Sequence, residues 1–397
     1  MSAAARGSNM TLADEFRVVD ADTHMTERHD LFTSRAPKGY EDRVPLVTEI
    51  DGIPMWTIEG APLGPARAGG VIDRDGDKYP FEETKVWGID RVHQAAWDPE
   101  TRLQLMDDCG IYAQVIYPNA VGIGGQNLAA ATDDPVLRRL CVEIYNDSMA
   151  ELQEWSNNRF LPMPVLPAWS IDECVREAER CAGLGFRGVN MTSDPQDAGS
   201  HDLAHRDWDA LWEVCADLNL PVHFHIGASL TSLNFYGKYF WPSLHDNMKP
   251  AVGGAMLFLN NARVVINSVY AGIFDRHPTL KMVSVESGIG WIPFILETMD
   301  YEILENAPAQ AAELSRVPSE YFKDHWYATF WFEKNGGDLQ GLIDKVGEDN
   351  VMFETDFPHP TCLYPNPLET VEEDMLSLRP ETRRKVLGAN ASALYRI

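Results

Sequence analysis

Histidine and acidic residues stand at the ends of short apolar segments of the chain. The segment VVDADTH carries Asp22 and His24 two positions apart, and PVHFHIG carries His223 and His225 with the same spacing. Side chains two apart on a strand point to one face, so each pair is presented together. Imidazole nitrogens and carboxylate oxygens are ligands of Zn²⁺, Fe²⁺ and Mn²⁺. These two motifs therefore predict a divalent-metal site.

Two further acids end later segments of the same kind. Glu286 closes LKMVSVE, and Asp356 closes NVMFETD. Glu286 has an alternative role as an acid at the positive end of the following helix, and Asp356 has one as a turn residue. Residues of these types at the ends of four strands favour one common site over four unrelated roles. We therefore expect both acids beside the two histidine motifs.

The elements that must position these residues are eight strand-like segments that alternate with helix-like ones. Such alternation is typical of parallel strands joined by helical crossovers. It predicts an α/β fold, a (β/α)₈ barrel of the TIM type, with an open doubly wound sheet and a second domain as the alternative. The barrel is favoured because its active sites lie at the carboxyl ends of the strands, and because no G-x-G-x-x-G motif follows an early strand. The predicted strands are 18–24, 111–118, 159–167, 186–194, 221–227, 280–288, 326–333 and 350–356.

Two connections are too long for simple crossovers, so we expect a single barrel domain over 1–397 that carries two insertions. Residues 25–102, which are rich in Pro, Gly and Trp, follow the first strand and predict a lid over the barrel mouth. Residues 228–274 follow the fifth strand, and their aromatic and apolar side chains predict a pocket wall or a subunit interface. Residues 1–16 are small and polar and are expected to form a loose tail.

The composition excludes several classes of partner. Asp and Glu total 60 against 33 Lys and Arg, and the net charge of −27 repels nucleic acid and anionic lipid headgroups. No apolar run approaches the roughly 18 residues of a membrane span, and the first residues do not form a secretion signal. The expected location is the cytoplasm, where the six cysteines would be reduced thiols.

The motifs together resemble those of a known family. They are VVDADTHMTE, PVHFHIG, HPTLKMVSVESGIGWIP, YATFWFE, NVMFETDFPHP and LGANASALY. In this order they resemble the amidohydrolase-related family, the branch of the amidohydrolase superfamily that includes aminocarboxymuconate semialdehyde decarboxylase and resorcylate decarboxylases. The resemblance spans nearly the whole chain and implies a (β/α)₈ barrel with one or two divalent ions. Transferred to this sequence, the family's ligands fall on Asp22, His24, His225 and Asp356.

Two positions depart from the family pattern. The first strand has Asp22 in a D-x-H motif where H-x-H is common in the superfamily, and Glu286 stands where the decarboxylases often have a proton-handling histidine. A water bound to the metal is a nucleophile near neutral pH. The leading hypothesis is therefore a hydrolase of a small acyl substrate: an ester, thioester, amide, lactone or activated C–C bond. The alternatives are a non-oxidative decarboxylase of an aromatic or enoic acid and a non-catalytic binding barrel.

Each candidate residue has an expected role in such a site. Asp22, His24, His225, Glu286 and Asp356 are candidate ligands for one or two ions of Zn²⁺, Fe²⁺ or Mn²⁺. Asp356 and Glu286 are also candidate proton-transfer groups, and His223 is a third catalytic candidate. Candidate contacts to a small-molecule substrate are His359, Trp331 and Asn190. The family resemblance further implies a homodimer or a larger assembly.

Overall fold

Eight parallel strands enclose a common axis in the computed structural model, which describes residues 11–237 and 240–397. The strands are β1 (Val18–His24), β2 (Ile111–Tyr117), β3 (Phe160–Pro162), β4 (Val189–Asn190), β5 (Val222–His225), β6 (Met282–Val285), β7 (Trp326–Phe330) and β8 (Val351–Phe353). β1, β2 and β3 pair in one sheet, and β4 to β8 pair in sequence order in another. Single bridges between Val165 and Asn190 and between Thr23 and Phe357 join the two sheets at both edges. The predicted (β/α)₈ barrel is confirmed.

The strands are shorter than the sequence predicts, because the chain leaves the sheet before it reaches the acidic residues. β6 ends at Val285 and β8 at Phe353. Glu286 and Asp356 both adopt left-handed backbone conformations, with φ of 55° and 58°. Such a conformation cannot continue a strand. The two acids therefore lie just past the strand ends, on the rim of the barrel.

Helices connect the strands and cover the outside of the barrel. Among the described residues, α-helices span Leu12–Glu15, Pro99–Cys109, Gln126–Ala131, Pro135–Trp155, Ile171–Gly183, Asp209–Asp217, Leu230–Gly237, Lys249–Leu257, Asn260–Tyr270, Ile273–Arg276, Ile292–Asn306, Pro308–Ala311, Glu320–His325, Leu339–Val346, Pro367–Ser377, Pro380–Arg384 and Asn390–Tyr395. Short 3₁₀ turns lie at Phe81–Thr84, Gln94–Ala96, Pro195–Ala198, Arg206–Trp208, Asp246–Met248 and Asn335–Gly337, and a π-helical turn at Lys385–Ala389. None of the helices in this part of the chain has the length and apolar character that a membrane crossing needs. The six cysteines are free thiols.

A helical turn occupies the end of the predicted loose tail 1–16. Residues 1–10 lie outside the described part of the chain, but Leu12–Glu15 forms a helical turn. Leu12 is buried in the main apolar core with Val18 and Met106. Its apolar side chain gives this segment a surface to pack on.

The insertion after β1 contains a small antiparallel sheet of Leu46–Ile50, Ile53–Ile58 and Ala61–Pro65. Trp56 is fully buried against residues of the helix Pro135–Trp155, and Trp87 is buried beside Phe357, just after β8. The insertion ends earlier than residue 102, because Asp98 caps a helix that starts at Pro99. It therefore packs on the barrel through two apolar clusters of its own.

Only part of the predicted insertion 228–274 after β5 is additional to the barrel. The helix Asn260–Tyr270 buries Val264, Val265 and Val269 in the main core, so it is the covering helix that the barrel needs between β5 and β6. The additional part comprises the helices Leu230–Gly237 and Lys249–Leu257. The sequence pattern merged the two because both parts are apolar.

Candidate metal site at the carboxyl end of the barrel

Two histidines and three acids converge at the carboxyl end of the barrel. His24 Nε2 and His225 Nε2 are 3.1 Å apart. Asp22 lies between them, with oxygens 3.8 Å from His24 Nε2 and 3.5 Å from His225 Nε2. Glu286 Oε2 is 3.4 Å from His225 Nε2, and Asp356 Oδ1 is 3.9 Å from His24 Nε2. Ligand atoms that share one ion at about 2.0–2.2 Å are separated by roughly 3–4 Å, so these distances suit a common cation.

The hydrogen bonds around these side chains also fit a cation. Both carboxylate oxygens of Asp22 are buried without a hydrogen-bond partner. His225 Nδ1 lies 2.7 Å from the Ile226 carbonyl oxygen. Because a carbonyl oxygen only accepts, Nδ1 carries the proton and Nε2 directs a lone pair at the other ligands. Buried carboxylate oxygens without a partner are costly unless a cation compensates them, and a divalent ion at this point would do so.

Burial favours the neutral form of both histidines. It lowers the pKa of His24 well below the usual value and that of His225 to about 4. Burial also raises the pKa of Glu286 and of Asp22, and the charge of Asp356 adds to both effects. A neutral imidazole has the free lone pair that a metal ligand needs. A divalent ion would in turn stabilise the carboxylates in their charged form.

Hydrogen bonds from neighbouring strands hold Glu286 and Asp356 in their left-handed conformations. The Glu286 amide donates to Thr329 Oγ1 at 2.9 Å, and the Asp356 amide donates to the Asp22 carbonyl oxygen at 2.9 Å. Left-handed backbone at a non-glycine residue costs about 1–3 kcal/mol and is concentrated at functional sites. The unfavourable backbone conformation of both acids is thus tolerated, and it directs their side chains toward the candidate cation position.

His359 and Trp331 surround Asp356. The His359 ring stacks on the His24 ring with centroids 3.8 Å apart, and its Nδ1 lies 3.1 Å from Asp356 Oδ1. Thr361 Oγ1 donates to Asp356 Oδ2 at 2.8 Å, and Trp331 Nε1 donates to the Thr361 carbonyl oxygen at 3.2 Å. The structure thus brings His359 into the cluster, whereas Trp331 supports the loop behind Asp356.

His223 and Asn190 lie away from the cluster. His223 precedes His225 by two residues on the same face, roughly 6–7 Å deeper in the barrel. Its Nδ1 is 2.5 Å from Tyr117 Oη, and burial lowers its pKa to about 3. Asn190 Nδ2 donates to the Ile123 carbonyl oxygen, while its Oδ1 is buried without a partner. Neither side chain is among the atoms that converge on the candidate cation position.

Two buried acids below the site are missing from the sequence-based set. Glu354 is fully buried and neither of its oxygens has a hydrogen-bond partner. Asp20 accepts hydrogen bonds from Gln114 and Thr355, and burial raises its pKa to about 7. Each precedes a candidate ligand by two residues, Asp20 within β1 and Glu354 directly after β8. That spacing, read one step further back in D-A-D-T-H and E-T-D, is the signal that identifies them.

The insertion after β1 lies directly over His359. Gly69 is packed so closely that a Cβ on it would overlap the His359 ring. The Val71 amide donates to the Pro358 carbonyl oxygen at 3.2 Å. Arg67 is fully buried in the same segment, and its Nε and Nη2 have no hydrogen-bond partner. Burial lowers the Arg67 pKa to about 10, so this guanidinium remains charged at neutral pH.

The amidohydrolase family profile matches residues 14–397. The chain belongs to the amidohydrolase family. A curated relative, a gamma-resorcylate decarboxylase from Polaromonas sp. (strain JS666), is 26% identical over 313 residues, which are 75% of this chain and 87% of that protein. The predicted family membership is therefore confirmed, and the chain is an enzyme of this superfamily.

Solved amidohydrolase structures share the fold. An amidohydrolase from Mycobacterium avium subsp. paratuberculosis K-10 has a TM-score of 0.73 at 20% identity, covering 96% of this chain and 99% of that one. A dihydroxybenzoic acid decarboxylase from Polaromonas sp. JS666, solved with manganese and 2-nitroresorcinol, has a TM-score of 0.62 at 18% identity, covering 96% and 97%. At these identities, the likeness establishes the barrel architecture.

The comparisons overturn the leading functional hypothesis. Four curated relatives that match this chain are named gamma-resorcylate decarboxylases. The predicted hydrolase of esters, thioesters, amides or lactones is therefore wrong. The error has a chemical cause, because one set of metal ligands at the mouth of a barrel serves hydrolysis and decarboxylation equally well.

Proposed function

We propose that this amidohydrolase is a metal-dependent, non-oxidative decarboxylase of a hydroxylated aromatic carboxylic acid. The observation that carries the proposal is the match to gamma-resorcylate decarboxylase over 75% of this chain and 87% of the relative. The converging donor set supports it, since a cation site at the carboxyl end of the barrel is where a family enzyme binds its substrate.

Ligand atoms within 4.8 Å of one another are offered by Asp22, His24, His225 and Glu286, which would hold the ion. Asp356, which forms a second such group with His24, Glu286 and His359, would be a further ligand or a proton-transfer group. Divalent manganese is the metal to test first, because a decarboxylase of the same fold was solved with it. When bound, the ion supplies positive charge that attracts and orients an anionic oxygen of the substrate. The oxygen and nitrogen donors suit Mn²⁺, and no thiolate lies among them.

Arg67 is our candidate for binding the substrate carboxylate. Its guanidinium is buried, charged and short of partners for two of its nitrogens, and it lies two residues from Gly69 at His359. Arginine binds carboxylates through two parallel N–H groups. The segment 66–72 would at the same time shield the reacting carbon from water. The candidate substrate contacts thus extend from His359 to the insertion above it.

Decarboxylation requires one proton at the ring carbon that carries the carboxylate. Asp356 Oδ1 and His359 Nδ1 are 3.1 Å apart without forming a hydrogen bond, and we propose that one of these two groups delivers the proton. Once the ring carbon accepts this proton, the bond to the carboxylate breaks, its electron pair returns to the ring, and CO₂ leaves. The donor group is then reprotonated from solvent, which balances the cycle without an oxidant.

The test is an assay of manganese-loaded protein with 2,6-dihydroxybenzoate and its isomers. CO₂ release and the phenolic product are measured together, and we expect equal amounts of both. Arg67→Lys keeps the charge but loses the paired N–H geometry, so it should raise KM more than it lowers kcat. Metal-loaded protein that releases no CO₂ from any hydroxybenzoate would contradict the proposal.

A further inference from the structure

A second group of metal-binding side chains lies on the surface, in the connection from β4 to the helix Asp209–Asp217. It consists of His201, His205 and Asp207, each of which offers a ligand atom within 4.8 Å of the others. Asp207 Oδ2 is 3.5 Å from His201 Nε2 and 3.4 Å from His205 Nδ1. The two imidazole rings stack with centroids 3.8 Å apart and an angle of 12° between their planes, so one ring has to turn before both rings can direct a lone pair at one ion. The separations between Asp207 and the two histidines match those between ligands of one ion.

The backbone that carries these residues is anchored to the protein. Trp208, which is fully buried, donates from Nε1 to the His201 carbonyl oxygen at 3.0 Å. The His205 amide donates to the Asp202 carbonyl oxygen at 3.0 Å. A bound ion would therefore have to order only three short side chains and not the connection itself, which keeps the entropic cost low.

Local electrostatics also favour a cation. The guanidinium of the neighbouring Arg206 lies 3.1 Å from Asp209, a carboxylate that also pairs with Arg276. Two imidazoles and one carboxylate offer lone pairs to a divalent ion, and the net charge of −27 attracts cations at long range. The Asp207 amide donates to His205 Nδ1 over a long distance of 3.3 Å. This hydrogen bond is weak, so an ion could replace it at Nδ1.

We propose that His201, His205 and Asp207 form a second divalent-metal site, separate from the barrel site and independent of the proposed decarboxylation. Two nitrogens and one oxygen suit Zn²⁺ and similar borderline cations. The two histidine side chains are 56% and 45% exposed, so water completes the coordination and the ion exchanges with solvent. The site would clamp the connection after β4 against the start of the following helix.

The experiment uses the manganese-loaded protein after removal of unbound metal. The protein is dialysed against micromolar Zn²⁺, and zinc and manganese per chain are measured by mass spectrometry. We expect the zinc gained to exceed the manganese lost by about one ion per chain. His201→Asn and His205→Asn should each weaken this binding at least tenfold while manganese content stays that of the wild type, which also shows that the variants fold.

His245 provides the matched control. Its Nδ1 accepts from the Asn247 amide at 3.2 Å at the start of a 3₁₀ turn, as His205 does for Asp207. His245 is not part of any group of ligand atoms among the described residues. His245→Asn should therefore bind zinc like the wild type. No excess zinc in the wild type, unchanged binding in both variants, or an equal loss in His245→Asn would each overturn the proposal.

Discussion

Asp356 connects most of the groups in the candidate site. It is fully buried, faces His24 and His359, and accepts a hydrogen bond from Thr361. Asp356→Asn keeps the shape but removes the charge, so we expect loss of most of the bound metal and a fall in CO₂ release of roughly 10²-fold or more. Metal analysis and the decarboxylation assay measure the two effects. Full metal content together with full turnover would exclude a role for this carboxylate.

Glu286 tests whether the third acid belongs to the site. If it binds metal or transfers a proton, Glu286→Gln lowers metal content or reduces turnover by roughly 10²-fold. If it is only an acid at the start of the helix Ile292–Asn306, the variant keeps both and loses about 0.3–1 kcal/mol of stability. Glu297→Gln, an exposed position on that helix, is the control for charge removal alone. Equal behaviour of the two variants would support the structural role.

Glu27 gives a prediction for the pH dependence of stability. Its Oε1 accepts from the amides of Asn119 and Ala120, Oε2 has no partner, and burial raises its pKa. The protonated form of Glu27 therefore stabilises the folded state. This contribution to the free energy of unfolding is lost as the pH rises above the ordinary glutamate pKa of about 4.3 and through the raised pKa of Glu27 in the folded protein.

Glu27→Gln retains the Oε1 acceptor and cannot ionise. We expect its unfolding midpoint to fall less than that of the wild type between pH 5 and pH 8, as measured by denaturant titration at each pH. All other ionisable groups are shared, so the difference between the two proteins isolates Glu27. Parallel curves would show that burial of this acid has no effect on stability.

The candidate ligands could be found from the sequence because a strand alternates faces with a period of two. Asp22, His24 and His225 follow from that rule alone. The same rule does not tell how far along the barrel axis a residue lies. It therefore places His223 in the site, although the side chain lies deeper in the barrel. Arg67 was out of reach, because it comes from an irregular segment whose position depends on tertiary packing.

At the scale of elements, the contact between Gly69 and His359 predicts that the insertion after β1 acts as a lid. Gly69→Ala places a methyl group against the His359 ring, so the segment or the ring must move. The Gly69 backbone is not left-handed, and the effect is therefore steric. We expect at least a tenfold loss of kcat/KM with little change in metal content.

Gly64→Ala is the matched control in the same insertion. A Cβ at Gly64 would meet only Asn127 Nδ2, at 4.0 Å, which is an ordinary contact. Its activity should equal that of the wild type. Indistinguishable kinetics for the two alanine variants would show that close packing over His359 does not matter for turnover.

Element types were easier to predict than element ends. Eight apolar segments gave the eight strands, since buried parallel strands need continuous apolar sequence. Their ends depend on backbone conformation at single residues such as Glu286, which residue type does not reveal. The merged insertion after β5 has the same origin, because Asn260–Tyr270 is as apolar as the helices before it.

At the scale of the whole molecule, the sequence specified the fold more strongly than the reaction. Architecture follows from a pattern repeated over most of the chain, and family membership extends over residues 14–397. Hydrolysis and decarboxylation can use the same metal ligands, and they differ in the substrate group that the site orients. Glu286 in place of a histidine favours hydrolysis, whereas the matched relative is a decarboxylase. A single residue is therefore insufficient evidence to choose between the two reactions.

Assembly is the remaining property at this scale, and we propose that the chain forms a dimer or larger oligomer through the helices after β5. Trp241 is 81% exposed and Met248 54%, which is apolar surface that a second copy would cover. Association brings together two chains with a net charge of −27 each. Salt screens this repulsion, so the oligomer should strengthen between 0.02 and about 0.15 M ionic strength, where the screening length falls to about 8 Å.

Light scattering across that salt range provides the measurement. We expect Trp241→Ser to shift the mass toward that of one chain and to require more protein for assembly at every salt concentration. Trp155→Ser is the control, because Trp155 is 50% exposed but lies on the helix Pro135–Trp155, which is not part of the proposed interface. If the wild type scatters as a single chain at micromolar concentration, or if both variants dissociate equally, the surface after β5 is not the interface. A salt effect of the opposite sign would instead place ion pairs, and not apolar side chains, at the contact.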